Sequence, residues 1–133
     1  MEYLIGLGLA LAVGLFARFV GLDRDRAFYP TVMIVIAALY GLFAILGGSP
    51  AELVAEWIVM GGFIALAIVG FRFNLWFVVA ALAAHGVFDI FHGHLIANPG
   101  VPDWYAGFCL TYDVSAAGWL AWLIRSGRIT PGT

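Results

Sequence analysis

Five long apolar runs separated by short polar connections leave this chain little freedom in how it folds. They fall at about Tyr3–Val20, Pro30–Gly47, Glu52–Phe71, Leu75–Ile96 and Tyr105–Arg125. Each is about 18 to 22 residues long, and a helix needs about 20 apolar residues to cross the hydrocarbon core of a bilayer. Only 11% of the residues are charged, against roughly 25% in a soluble domain, and the mean hydropathy is +1.03. Within lipid a backbone must satisfy its own hydrogen bonds, and a continuous apolar run does so as a helix. The expected fold is therefore all-α: a polytopic membrane protein made of one five-helix transmembrane bundle over residues 1–133, located in the cell membrane. No connection is long enough to hold a separate domain.

The basic residues orient the bundle. All six are arginines. Arg18, Arg24 and Arg26 lie at or after the end of the first run, Arg72 between the third and fourth, and Arg125 and Arg128 after the fifth. The N-terminus and the connections at 48–51 and 97–104 carry none. The positive-inside rule then places the N-terminus outside and the C-terminus in the cytoplasm. Residue 2 is Glu, and no small-x-small site closes the first run before Arg18. A signal-peptide reading is therefore disfavoured and the first helix is expected to be retained. A net charge of −2 without a basic patch argues against nucleic acid as a partner. The single Cys109 allows no disulfide within the chain.

Local signals refine the elements. Gly6, Ala10 and Gly14 repeat at four-residue spacing, which lets a second helix approach closely in lipid. That helix belongs either to this chain or to a second copy, making the stripe a candidate homo-oligomer contact. Ser49 and Glu52 have the form of a capping box, Asn74 suits the N-cap of the fourth helix, and Asp103 that of the fifth. Trp104 and Tyr105 suit a membrane interface.

Function concentrates in one stretch. Residues 85–113 hold all three histidines, the only cysteine and three of the eight acidic residues, although both flanks are apolar. At about 100° per residue, His85, Asp89 and His92 fall within a band about 60° wide on the fourth helix, whereas His94 lies on the opposite side near the outer surface. The fifth helix returns antiparallel and carries Cys109, Tyr112 and Asp113 inward. At about 1.5 Å per residue, Asp113 and Asp89 lie at similar depth, near Glu56 of the third helix and Tyr40 of the second. An ionised Asp in mid-bilayer costs about 2.5–3.5 kcal/mol on insertion scales, so such a layer needs a reason.

Three reasons are available. In the first, His85, Asp89, His92 and Asp113 bind a divalent metal, with zinc, iron or manganese suited to imidazole and carboxylate donors. Glu56 then acts as base and Tyr40 or Tyr112 polarises the substrate, in a hydrolase-like enzyme acting on a lipid or apolar molecule. Cys109 is either an added soft ligand or a small core residue. In the second, the carboxylates and imidazoles carry protons or cations in a transporter or channel subunit. In the third, they hold helices together in an accessory subunit of a larger membrane complex.

The segments RAFYPTVMIVIAALY and HGVFDIFHGHLIANPGVP, followed by Asp113, resemble a family of small multi-spanning bacterial membrane proteins described only as a domain of unknown function. The helix-borne His85, Asp89 and His92, then Asn98-Pro99, carry the resemblance, which covers about half of the chain. It implies an integral membrane protein and groups His85, Asp89, His92 and Asp113 as one set. It implies no activity.

Overall fold

A computed structural model of the chain describes residues 1–24, 26–47 and 50–132. It is all-helical: α1 (Glu2–Val20), α2 (Phe28–Leu46), α3 (Pro50–Arg72), α4 (Trp76–Leu95) and α5 (Tyr105–Arg125). Each helix is long and apolar enough to cross a membrane. The boundaries agree with the apolar runs to within two or three residues, and the differences have local causes. Pro50 begins α3, where its missing N–H would have had no partner in any case. Pro30 sits in the first turn of α2 for the same reason. Gly21 closes α1 in the left-handed conformation, φ 95°, returning its N–H to the Ala17 carbonyl.

The expected caps are realised unevenly. Asn74 Oδ1 accepts the Trp76 backbone N–H at 2.9 Å, from one position before the boundary residue Leu75. Trp104, not Asp103, occupies the boundary of α5, and Asp103 is left exposed. Ser49, expected to cap the third helix, lies outside the described residues.

Helix α5 packs against both α1 and α4; α4 also meets α3, and α3 packs on α2. The stripe of Gly6, Ala10, Gly14 and Ala17 is buried, and α5 is what buries it. A Cβ on Gly14 would stand 2.8 Å from Trp119 Nε1, and one on Gly6 would run into Phe108 and Thr111. The small-residue face, which a helix of this chain or one of a second copy could fill, packs against α5.

The two ends of the bundle are chemically distinct. At one end Arg18 pairs with the buried Asp23 at 3.1 Å. Arg26 donates to the carbonyls of Thr130 and Pro131, the Leu75 N–H reaches Pro131, and Arg128 covers the Trp122 ring. At the other end the 97–104 connection packs on the end of α2, with Gly100 against Phe43 and Gly47. The apolar core fills the arginine-bearing half, around Met33, Leu75, Val78, Leu82, Leu120 and Leu123. The polar layer fills the other half.

Candidate functional site

The layer is built from α2, α3, α4 and α5. His85, Asp89, Asp113 and Glu56 are each no more than 1% exposed, and Tyr40 and His92 are nearly as buried. Glycine fixes one of the approaches: Gly86, next to His85, lies so close to α5 that an added Cβ would be 3.3 Å from the Cβ of Asp113. Asp113 is thereby held beside His85. The His85 Nδ1 atom lies 2.8 Å from Asp113 Oδ2 and 3.5 Å from Asp89 Oδ2. The Tyr40 hydroxyl donates to Asp89 Oδ1 at 2.5 Å.

A second unit lies nearer the end of the bundle. His92 Nε2 is 2.8 and 2.9 Å from the two oxygens of Glu56. Asn98 Nδ2 donates to Glu56 Oε2 at 2.6 Å and to the Tyr40 carbonyl at 3.1 Å, while Asn98 Oδ1 accepts the Gly100 N–H. Tyr40 joins the two units, because its ring stacks on His92 with centroids 3.8 Å apart and planes 10° apart.

The four residues expected as one ligand set are thus divided. Donor atoms of His85, Asp89 and Asp113 lie within 4.8 Å of one another, the one such group among the described residues. His92 shares their helix face but stands two turns from His85, about 10 Å along the axis, and its partner is Glu56. Tyr112 lies apart from both units: it stacks on Phe108 and lines an apolar cavity between α2 and α5. Cys109 is buried among Tyr40 and Tyr105, as a small core residue would be. His94 is exposed, as its helical angle predicts. Tyr105, expected at the interface, is buried, with its ring edge against Tyr40 and Phe43. Asn98 is the residue that sequence reasoning did not place in the site. Its signals in the sequence are its position in the turn-rich connection and its place, as Asn98-Pro99, among the motifs that carry the resemblance.

A cleft of about 450 Å³ leads from this connection down to the layer. Tyr40, Asp89 and His92 line its floor, apolar residues such as Ile96, Val101 and Pro102 its walls, and Asp103 its rim. The site is therefore reached from the end of the bundle opposite the arginines.

Charge is unbalanced here. Three carboxyl groups, Glu56, Asp89 and Asp113, face two imidazoles, so charging both imidazoles still leaves one negative charge without a counterpart. Asp89 Oδ2 and Asp113 Oδ1 are buried without a hydrogen-bond partner, and buried orphan acceptors are costly. The arrangement calls for a further positive species, a metal ion or a proton.

The class defined by fold and site is an all-helical protein of five membrane-spanning-length helices with a buried carboxylate–imidazole layer in one half. Comparison with protein-family models, curated proteins and solved structures finds no match in any of the three, so the family resemblance rests on its motifs alone.

Proposed function

We propose that this is a multi-pass protein of the cell membrane in which His85, Asp89 and Asp113 hold a divalent metal ion, and that it acts as a metal-dependent, hydrolase-like enzyme. The observation that carries the reading is the gathering of three donors within 4.8 Å, two of them with buried oxygens that have no hydrogen-bond partner. Mixed imidazole and carboxylate donors suit zinc, iron or manganese. Three protein ligands leave a position open, at which a metal supplies Lewis acidity and activates water. Tyr40 orients Asp89 through its hydroxyl. Glu56 engages His92 Nε2, and a proton shared between them would make the His92–Glu56 pair, with His92 on the floor of the cleft, the acid–base element. The positive-inside rule applied to the arginines supports an outward-facing cleft, with the substrate entering from that side.

The test is elemental analysis of gently purified protein. Near-stoichiometric zinc, iron or manganese, lost in His85→Gln, supports the reading; only trace metal in a folded sample removes it.

One observation favours a second reading. The ionisable groups form a line in depth: Asp113, His85, Asp89 and Tyr40 are joined by polar contacts, and His92, Glu56 and Asn98 continue it toward the cleft beyond the Tyr40–His92 ring stack. Such a line can carry protons or cations as a transporter does. Flux across liposomes that falls in Asp89→Asn and Asp113→Asn while no metal is bound would favour it over the enzyme.

A further inference from the structure

We infer that the cleft binds a small organic cation with an apolar body, such as an amine or quaternary ammonium compound, and excludes anions. The inference concerns the same site and takes from the reading above that the cleft is its access route.

Size comes first. At about 450 Å³ the cleft far exceeds the share of one water, about 30 Å³, and so suits an organic molecule better than a bare ion. Its walls of Ile96, Ala97, Pro99, Val101 and Pro102 accept methyl and methylene groups. They offer little to a strongly hydrated headgroup.

Charge decides the rest. Asp89, nearly fully buried, lines the floor, with Oδ1 held by Tyr40 and Oδ2 turned toward His85. Asp103 stands exposed at the rim. Behind the floor are Glu56, already engaged by His92 and Asn98, and Asp113, engaged by His85. His85 and His92 can offset at most two of these four carboxyls, and all six arginines lie at the far end of the helices. A 20-residue helix such as α4 is about 30 Å long, so the arginines stand well away from the cleft. A divalent ion on Asp89 and Asp113 would still leave Glu56 and Asp103. Phosphate, sulfonate and carboxylate groups therefore meet a net like charge, and a cationic headgroup meets complementary charge beside the aromatic ring of Tyr40.

Three probes of one shape isolate the charge: choline, the neutral alcohol in which carbon replaces its nitrogen, and the carboxylate of the same branched skeleton. Binding is measured by calorimetry on the detergent-purified full chain, as prepared and after chelator treatment. Choline is expected to bind saturably and roughly tenfold tighter than the neutral alcohol, with no detectable binding of the carboxylate. Asp103→Asn, a change at an exposed position that the fold does not need, is expected to weaken choline severalfold and to flatten its salt dependence. Equal binding of choline and the alcohol, binding of the carboxylate, or no saturable binding of choline would each overturn the inference. Metal content separates the two ideas. Choline binding by protein without metal leaves this inference standing alone, and bound metal without choline binding leaves only the metal centre.

Discussion

The ring of Tyr40 lies flat on His92, with centroids 3.8 Å apart, while its hydroxyl reaches Asp89 one turn earlier on the same helix. One side chain of α2 thus fixes two functional groups of α4. Tyr40→Phe keeps the stack and removes the hydroxyl, leaving both oxygens of Asp89 without a hydrogen-bond donor. Orphaning a buried acceptor costs about 1–3 kcal/mol, so the denaturation midpoint should fall clearly. The cost should shrink in the double variant Tyr40→Phe, Asp89→Leu, because removing both partners is cheaper than stranding one. Additive losses in the double variant would mean that the contact contributes nothing specific.

Axial distance separates the ligands from His92. His85→Gln and Asp113→Asn are expected to reduce bound metal to traces, whereas His92→Gln should leave its stoichiometry near that of the unaltered protein. Metal analysis of the three variants, each checked for folding, reads this directly. Equal loss in all three would restore the four-residue set that the helix face alone suggests.

Asn98 clamps the second unit from outside the helices. Asn98→Ala removes its donors to Glu56 and to the Tyr40 carbonyl, at about 1–2 kcal/mol. Asn98→Asp should cost more, because it sets a carboxylate where an amide now stands 2.6 Å from Glu56. A proton shared by the two carboxyls relieves that repulsion. The Asp variant should therefore recover toward the Ala variant as pH falls and diverge from it as pH rises. Parallel denaturation curves at two pH values provide the check.

Much of this was legible in the chain. Five helices of spanning length and the segregation of arginine to one end follow from apolar run lengths and a few charged positions, because a run of that length and apolarity satisfies its own backbone as a helix. The convergence of Asp113 on His85 and Asp89 follows from antiparallel neighbours of matched depth. Helical angle, however, says nothing about distance along the axis: His92 shares a face with His85 and still falls two turns away. Tyr112 shows the complementary error, since adjacency to Asp113 in sequence puts it about 100° around the helix and onto another cavity. The role of Asn98 depends on how a connection folds back, and the pairing of Asp23 with Arg18 on a tight loop; neither has a periodic signal. The destination of the Gly6, Ala10, Gly14 face was equally invisible, because a small-residue stripe has the same sequence whichever helix fills it.

Orientation has its own test. In a Cys109→Ala background, Asp103→Cys at the cleft rim and Arg128→Cys at the opposite end are both exposed positions. A membrane-impermeant thiol reagent applied to intact cells is expected to label the first and spare the second until the membrane is opened. The reverse pattern would invert the bundle and put the cleft in the cytoplasm.

Glycine substitutions measure how α1 is held. Gly6 and Gly14 face α5, where an added methyl group meets Phe108 and Thr111 or, at 2.8 Å, the Trp119 indole nitrogen. Gly8, on the same helix, has nothing within 4 Å of an added Cβ. Overpacking of this kind costs about 1–3 kcal/mol. An exposed Gly→Ala change recovers up to about 1 kcal/mol of helix propensity in water, and less in lipid, where the unfolded span is already helical. Gly6→Ala and Gly14→Ala should therefore lower the melting temperature while Gly8→Ala leaves it level or raises it slightly. The Gly6 change should hurt more, because it meets backbone of α5 that cannot rotate aside, whereas the Trp119 ring can shift. Equal tolerance at all three positions would mean that α1 does not pack on α5 through this face and that the stripe is free for another partner.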